Sequence, residues 1–220
     1  MKLSEIRNNL LTTLSPLVLN DGFKPNKTLF CLKRDDKNNE CQFSFDHNSW
    51  SDEIHLLPYV QIKNKMIHSI CEANDFHLNY TAFINLLLLK KIYNGTYTED
   101  SRWQMQYNQQ DRFVIHNDSD FEKAKTEMIK LLPIGLHYLN TNTNIFAIDK
   151  MYNMAHLDIQ NPNCSGLDTQ FIIGLISAKL AHNPNYEQIC GFYSSAINSA
   201  DVTADTIRKF QRIKAYIATL

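Results

Sequence analysis

The chain has 220 residues, 44% of them hydrophobic, enough to bury a core and too few for two large domains. Its 22 Lys and Arg stand against 23 Asp and Glu, a formal charge of -1 with no basic block or acidic tail, so bulk charge recruits neither nucleic acid nor anionic lipid. The five cysteines form no C-x-x-C pair, which fits neither a zinc ribbon nor a disulfide framework and points to buried thiols in a reducing compartment.

The opening stretch, Met1 to Asn20, is broken by Glu5, Arg7, Asn8 and Asn9 and has no signal-like apolar run. The longest apolar run, Ile84 to Leu89 with Asn85 inside it, falls far below the ~18 residues of a membrane span. These features predict a soluble, cytoplasmic protein with no membrane partner.

Leu3, Ile6, Leu10, Leu14, Leu17 and Val18 recur at helical spacing, with Ser15-Pro16 as a kink or fresh start and Asp21-Gly22 as the stop. The period then changes to two. Phe30 and Leu32, then Cys41, Phe43 and Phe45, then Ile54, Leu56, Val60 and Ile62 predict three strands. Turns at Asp35–Asn39 and His47–Asp52 make them an antiparallel meander, and Pro58 argues for an edge or a bulge. Lys65 to Glu72 and Tyr80 to Tyr93 read as helices, the second stopped by Asn94-Gly95. Trp103, Met105 and Tyr107 alternate with glutamines, and Phe113 and Ile115 alternate across the turn at Asn108 to Asp111, so a second hairpin is expected.

Ser119-Asp120-Phe121-Glu122 reads as a capping box, and Phe121, Ala124, Met128, Leu131 and Leu132 carry an apolar stripe up to Pro133. Asn140 to Cys164 is polar apart from a short helical stretch, Ile145 to His156. Three helical segments follow: Leu167 to His182, one opening at Asn185, and Asp201 to the end. The expected architecture is α+β, an antiparallel sheet of about five strands packed on helices. The sheet domain would occupy residues 1–140, a connector 141–163, and a helical annex packed on the same domain 164–220.

No phosphate-binding glycine loop, G-x-S-x-G or H-E-x-x-H occurs, so no cofactor is expected and no catalytic or metal-ligating residue is assigned. Strand alternation nominates a surface instead. If Phe43, Phe45, Ile54, Leu56, Val60 and Ile62 face the helices, then Gln42, Ser44, Asp46, Glu53, His55, Tyr59 and Gln61 share the other face. Arg112 and His116 join them if the later hairpin pairs into the same sheet. Trp50, in a polar turn, is a further contact candidate. Two chemistries suit this set. It is the wet side of an antiparallel sheet that meets a partner, or Asp46, Glu53 and His55 converge as a metal-assisted or acid–base hydrolytic site.

The opening helix running into Asn20-Asp21-Gly22-Phe23-Lys24 and Thr28-Leu29-Phe30 resembles bacterial domain-of-unknown-function family 4304. So do the strand pair around Cys41 to Ile62, and Arg112-Phe113-Val114-Ile115 followed by Ser119 to Leu139 with its Leu132-Pro133-Ile134-Gly135-Leu136 turn. The likeness covers about the first two thirds of the chain, and the chain departs from it in the helical region Met66 to Thr98. The resemblance implies an α+β sheet-and-helix domain that binds partners such as toxins, and it implies no catalytic residues. Together these readings predict an interaction module whose partner is another protein or a second copy, with a small hydrolase and a self-associating structural protein as the alternatives.

Overall fold

The computed structural model describes residues 2–50, 53–98, 100–154, 161–164, 166–199 and 202–220, the side chain of Trp50 excepted. In chain order the elements are α1 (Leu3–Val18), β1 (Lys24–Asn26), β2 (Cys31–Asp35), β3 (Asn39–Trp50), β4 (Glu53–Asn64), α2 (Lys65–Glu72), β5 (Ala82–Asn85), α3 (Leu86–Tyr93), α4 (Ser101–Tyr107), β6 (Phe113–Ile115), α5 (Asp118–Thr141), α6 (Ile145–Asn153), α7 (Leu167–Leu180), α8 (Tyr186–Ser199) and α9 (Ala204–Ile217). The strands form one six-stranded sheet ordered β1-β2-β3-β4-β5, with β6 also pairing β4. The fold is α+β with a helical C-terminal region. The chain divides into two compact units, residues 1–62 with 83–140, and residues 63–82 with 141–220.

In the first unit, α1 buries Ile6, Leu10, Leu11, Leu14 and Val18, a stripe along one side of the helix, and packs on β1 and β2. Gly22, at φ 82°, takes the left-handed conformation that ends the short 3-10 turn after α1. Arg34 on β2 reaches back to that turn. Its guanidinium stacks over Phe23 at 4.8 Å and donates to the Asp21 carbonyl and, at 2.9 Å, to Asn140 Oδ1 at the end of α5. Across the sheet α5 comes down at Gly135, where an added Cβ would meet Phe43 on β3, and Val60 on β4 and Leu86 on α3 at 2.9 Å each.

The second unit is built around α7, whose nine consecutive residues 170–178 are all buried. A helix apolar on every side has to be surrounded, and its core partners come from α2, α6, α8 and α9. Gly174 on α7 seats the ring of Tyr193 from α8, whose hydroxyl would lie 2.5 Å from an added Cβ. That hydroxyl donates to Asn153 Oδ1 at 2.8 Å, and the Asn153 amide in turn donates to Asp149 Oδ1 and to the Gly174 carbonyl. Asp149 takes a second amide, Asn183 Nδ2, at 2.7 Å. A buried carboxylate is tolerable here because donors meet both of its oxygens.

Several elements differ from expectation. Residues 101–107 form α4, not a strand, so β6 has no hairpin partner beside it and pairs β4 instead, with His55 opposite Val114. β3 runs on to Trp50 through most of the expected turn, of which Ser51 and Asp52 lie outside the described residues. The stretch expected as one helix from Tyr80 opens with β5 before α3, because Asn85 caps α3 by accepting from the Leu87 and Leu88 amides. Asn117, not Ser119, caps α5, accepting from the Asp120 amide at 3.1 Å. α5 also runs through Pro133 to Thr141. The proline strips the Ile129 carbonyl of its partner, but Ile129 faces outward at 38% exposure, and Gly135, Tyr138 and Leu139 are buried beyond it, so packing outweighs the local break. Residues 63–82 group with 141–220 and not with the sheet domain, and the expected connector contributes α6 to that second unit's core.

Two glycine substitutions separate close approach from mere flexibility. Gly135→Ala is expected to destabilise the protein by ~1–3 kcal/mol through overpacking. Gly191→Ala, inside α8 with nothing within 4 Å of the new Cβ, is expected to stabilise by ~0.5–1 kcal/mol. Urea unfolding of both variants measures the opposite signs.

Candidate functional site

The face of the sheet opposite Phe43 and Val60 is assembled by register. In β2 and β3 the pairs Cys31↔Ser44, Lys33↔Gln42 and Asp35↔Glu40 stand across from one another, and β6 sets Val114 opposite His55. Because side chains alternate, Arg112 and His116, two residues to either side of Val114, lie on the His55 face. They join the expected group because β6 pairs into the main sheet. The Tyr59 ring packs on Phe83 of β5, centroids 5.9 Å apart.

The face is not the open wet surface that alternation predicts. Gln42, Ser44, His55 and Gln61 are only 4–6% exposed; Glu53, Tyr59 and Arg112 are half-buried, and Asp46 and His116 are exposed. The Trp50 side chain lies outside the described residues. The reason is close lateral pairing. The Gln42 amide donates to Glu40 Oε1 at 2.5 Å, Lys33 Nζ meets Glu40 Oε2 at 2.6 Å, Ser44 Oγ donates to Asp46 Oδ1 at 2.9 Å, and His55 Nε2 lies 2.9 Å from Glu53 Oε2. Arg112 Nε donates to Asp111 Oδ1 at 2.7 Å, and the Asp111 carbonyl accepts from Asn85 Nδ2 at 2.7 Å. Gln42, Ser44 and His55 thus each support a carboxylate nearer the surface, whereas the buried Gln61 side-chain oxygen has no hydrogen-bond partner among the described residues.

The electrostatics follow the pairing. The hydrogen bond from His55 holds the Glu53 carboxyl below its ordinary range, and the charge of His116 adds to this. Burial pushes the Tyr59 hydroxyl up, helped by the negative charges of Asp111 and Asp46, against the Asn85 amide beside it. Burial also pushes the Cys31 thiol up to about 11, the reverse of an activated thiolate. Burial raises the Glu40 carboxyl, but the hydrogen bonds from Lys33 and Gln42 outweigh it, so the group lies below its ordinary 4.5.

Hydrolytic chemistry at Asp46, Glu53 and His55 requires all three to converge. Glu53 and His55 do meet, but Asp46 is bonded to Ser44. Among the described residues no three His, Cys, Asp or Glu side chains are grouped to hold a metal ion. Sequence reasoning missed Lys33, Glu40, Asn85 and Asp111. The charges of Lys33 and Glu40 were visible beside the first turn, whereas Asn85 sat hidden in an apolar run. No family model, no curated protein and no solved structure matches the chain, and among the described residues no helix is long and apolar enough to cross a membrane.

Because the folded Glu40 carboxyl is depressed, its contribution to stability is complete above its unfolded value near 4.5 and is lost as pH falls through the folded value. Glu40→Gln removes that titration. Between about pH 5 and pH 3 the wild type is expected to lose more stability than the variant, as read from urea midpoints at each pH.

Proposed function

We propose that the chain is a protein-interaction module and that its contact surface is the charged face of the sheet. The observation that carries this reading is the layering of that face. Asp46, Glu53, Arg112 and His116 are offered to solvent, and the first three are held from beside or beneath by Ser44, His55 and Asp111. Charged heads already fixed in one arrangement lose little side-chain freedom on binding, and mixed charge in fixed positions selects a complementary partner and speeds encounter.

The face is favoured over the sheet edge. β1 has three residues with Pro25 in the middle, and proline donates nothing to an added strand. The resemblance of the first two thirds of the chain to domain-of-unknown-function family 4304 is in keeping with a partner-neutralising, immunity-like role, in which a polar surface of this kind covers a toxin. The partner in this reading is a soluble protein with charges placed opposite to Asp46 and His116.

Charge reversal at the exposed positions tests it. Asp46→Lys with His116→Glu is expected to leave the protein folded, as read by circular dichroism, at a cost of about 1–3 kcal/mol because it removes the acceptor of the buried Ser44 hydroxyl. It is also expected to weaken a stoichiometric partner identified by crosslinking and mass spectrometry at least tenfold, about 1.4 kcal/mol. A partner that binds the wild type and this variant equally places the interface elsewhere and defeats the proposal, as does crosslinking that maps contacts outside this face.

A further inference from the structure

β4 has β3 as its neighbour on one side and carries β5 and β6 on the other. A strand with a single neighbour turns about half of its N–H and C=O groups away from that neighbour. Among the described residues, β6 pairs with β4 alone, and no turn, loop or cap supplies a backbone partner to Phe113, Val114 or Ile115. The outer side of β6 is therefore an open edge, and it borders the charged face through Arg112 and His116.

The two edges of the sheet are built differently. β1 is short and carries Lys24 and Pro25, and charge and proline are the devices that close an edge to further pairing. β6 is equally short, but it reads Phe-Val-Ile, three strong strand formers with neither device. Phe113 and Val114 are only half-buried. Asp111 fixes the Arg112 guanidinium, and Asp120 accepts from the His116 amide, so both ends of the strand are held before anything docks.

The strand that β6 already pairs shows what suits it. Ile54 stands opposite Ile115 and Leu56 opposite Phe113 on one face, with His55 opposite Val114 on the other. Glu53, next in the run, feels the charge of His116. β4 thus brings apolar side chains to one face of β6 and a carboxylate to the other. A strand on the outer side meets the same two rows. One holds Phe113 and Ile115; the other holds Arg112, Val114 and His116, with no carboxylate among these five residues.

We infer that the outer edge of β6 is a strand-addition site, and that it takes an extended segment of a partner protein in which carboxylate and apolar side chains alternate. The inference rests on the charged face being the contact surface and widens that surface by one strand. Backbone hydrogen bonds to β6 supply the attachment, and the alternate side chains supply selectivity.

The probe is an octapeptide of alternating glutamate and valine, blocked at both ends, titrated into the full chain and followed by amide NMR signals. The expected result is saturable shifts centred on residues 112–116, with a Kd between about 10 μM and 1 mM, and slower hydrogen exchange at β6 amides. A peptide of the same composition with its glutamates and valines in two blocks, and one with lysine in place of glutamate, are each expected to bind at least tenfold more weakly. Val114→Glu sets a carboxylate in the row that receives the peptide's own and is expected to weaken binding at least tenfold. Circular dichroism confirms its fold, and His116→Glu, at an exposed position, replaces it if it does not fold. Absence of saturation, shifts centred elsewhere, or equal binding of the blocked-sequence or lysine peptide overturns the inference. So does binding that survives the substitution. None of these outcomes touches the charged-face reading, which fails instead on a native partner that ignores charge reversal at Asp46 and His116.

Discussion

At Gly135 the absence of a side chain lets the backbone of α5 approach Phe43 and Val60 as closely as two packed layers allow, and the layout of the first unit depends on this approach. Once α5 lies across that face of the sheet, alternation sends Gln42, Ser44, His55, Tyr59 and Gln61 to the opposite one. Only two residues, His116 and Asn117, separate the end of β6 from the start of this helix, so its seat also fixes where β6 can reach β4. Arg34, bonded to Asn140 at the far end of α5, to the turn after α1, and stacked on Phe23, ties the strand order to both helices. Pro133 is tolerated inside α5 because the helix beyond it still has a core to face.

The charged face shows why parity alone does not decide exposure. Residues of one parity do share a side, but polar residues placed opposite one another pair laterally, and the outer members of each pair shield the inner. Gln42, Ser44 and His55 are thereby buried while each keeps a side-chain hydrogen bond, which offsets the desolvation that would make such burial unfavourable. The result is a surface whose charges are held from beneath, a better starting point for selective recognition than long side chains free in solvent.

The second unit uses a different device. α7 is apolar on all sides and is buried, but greasy helices alone specify position weakly. The chain from Tyr193 through Asn153 to Asp149 and Asn183 locks α6, α8 and the turn after α7 into one register, and Gly174 is the opening through which Tyr193 reaches it. A satisfied polar network in such a core selects one arrangement among many of similar hydrophobic content.

Local periodicity in the sequence was sufficient for α1 and for the strands around Cys41 to Phe45 and Ile54 to Ile62, because in each the apolar spacing holds over several repeats, whereas α7 is legible from its length and its stop at Asn183-Pro184. It also placed Asp46, Glu53 and His55 on one face, and left Arg112 and His116 to join them only if their strand paired into the same sheet, as β6 does with β4. It misread Trp103 to Tyr107, where five residues alternating aromatic or methionine with glutamine satisfy a period of two, yet as a helix bury only Met105 beside Ser101 and leave both rings outside. What the sequence by itself determined is the parity and spacing of side chains along each segment, since these follow from neighbours a few residues away. Which face is covered, which polar groups are buried, and with which unit residues 63–82 belong depend on contacts between segments distant in the chain, and only the tertiary structure decided them.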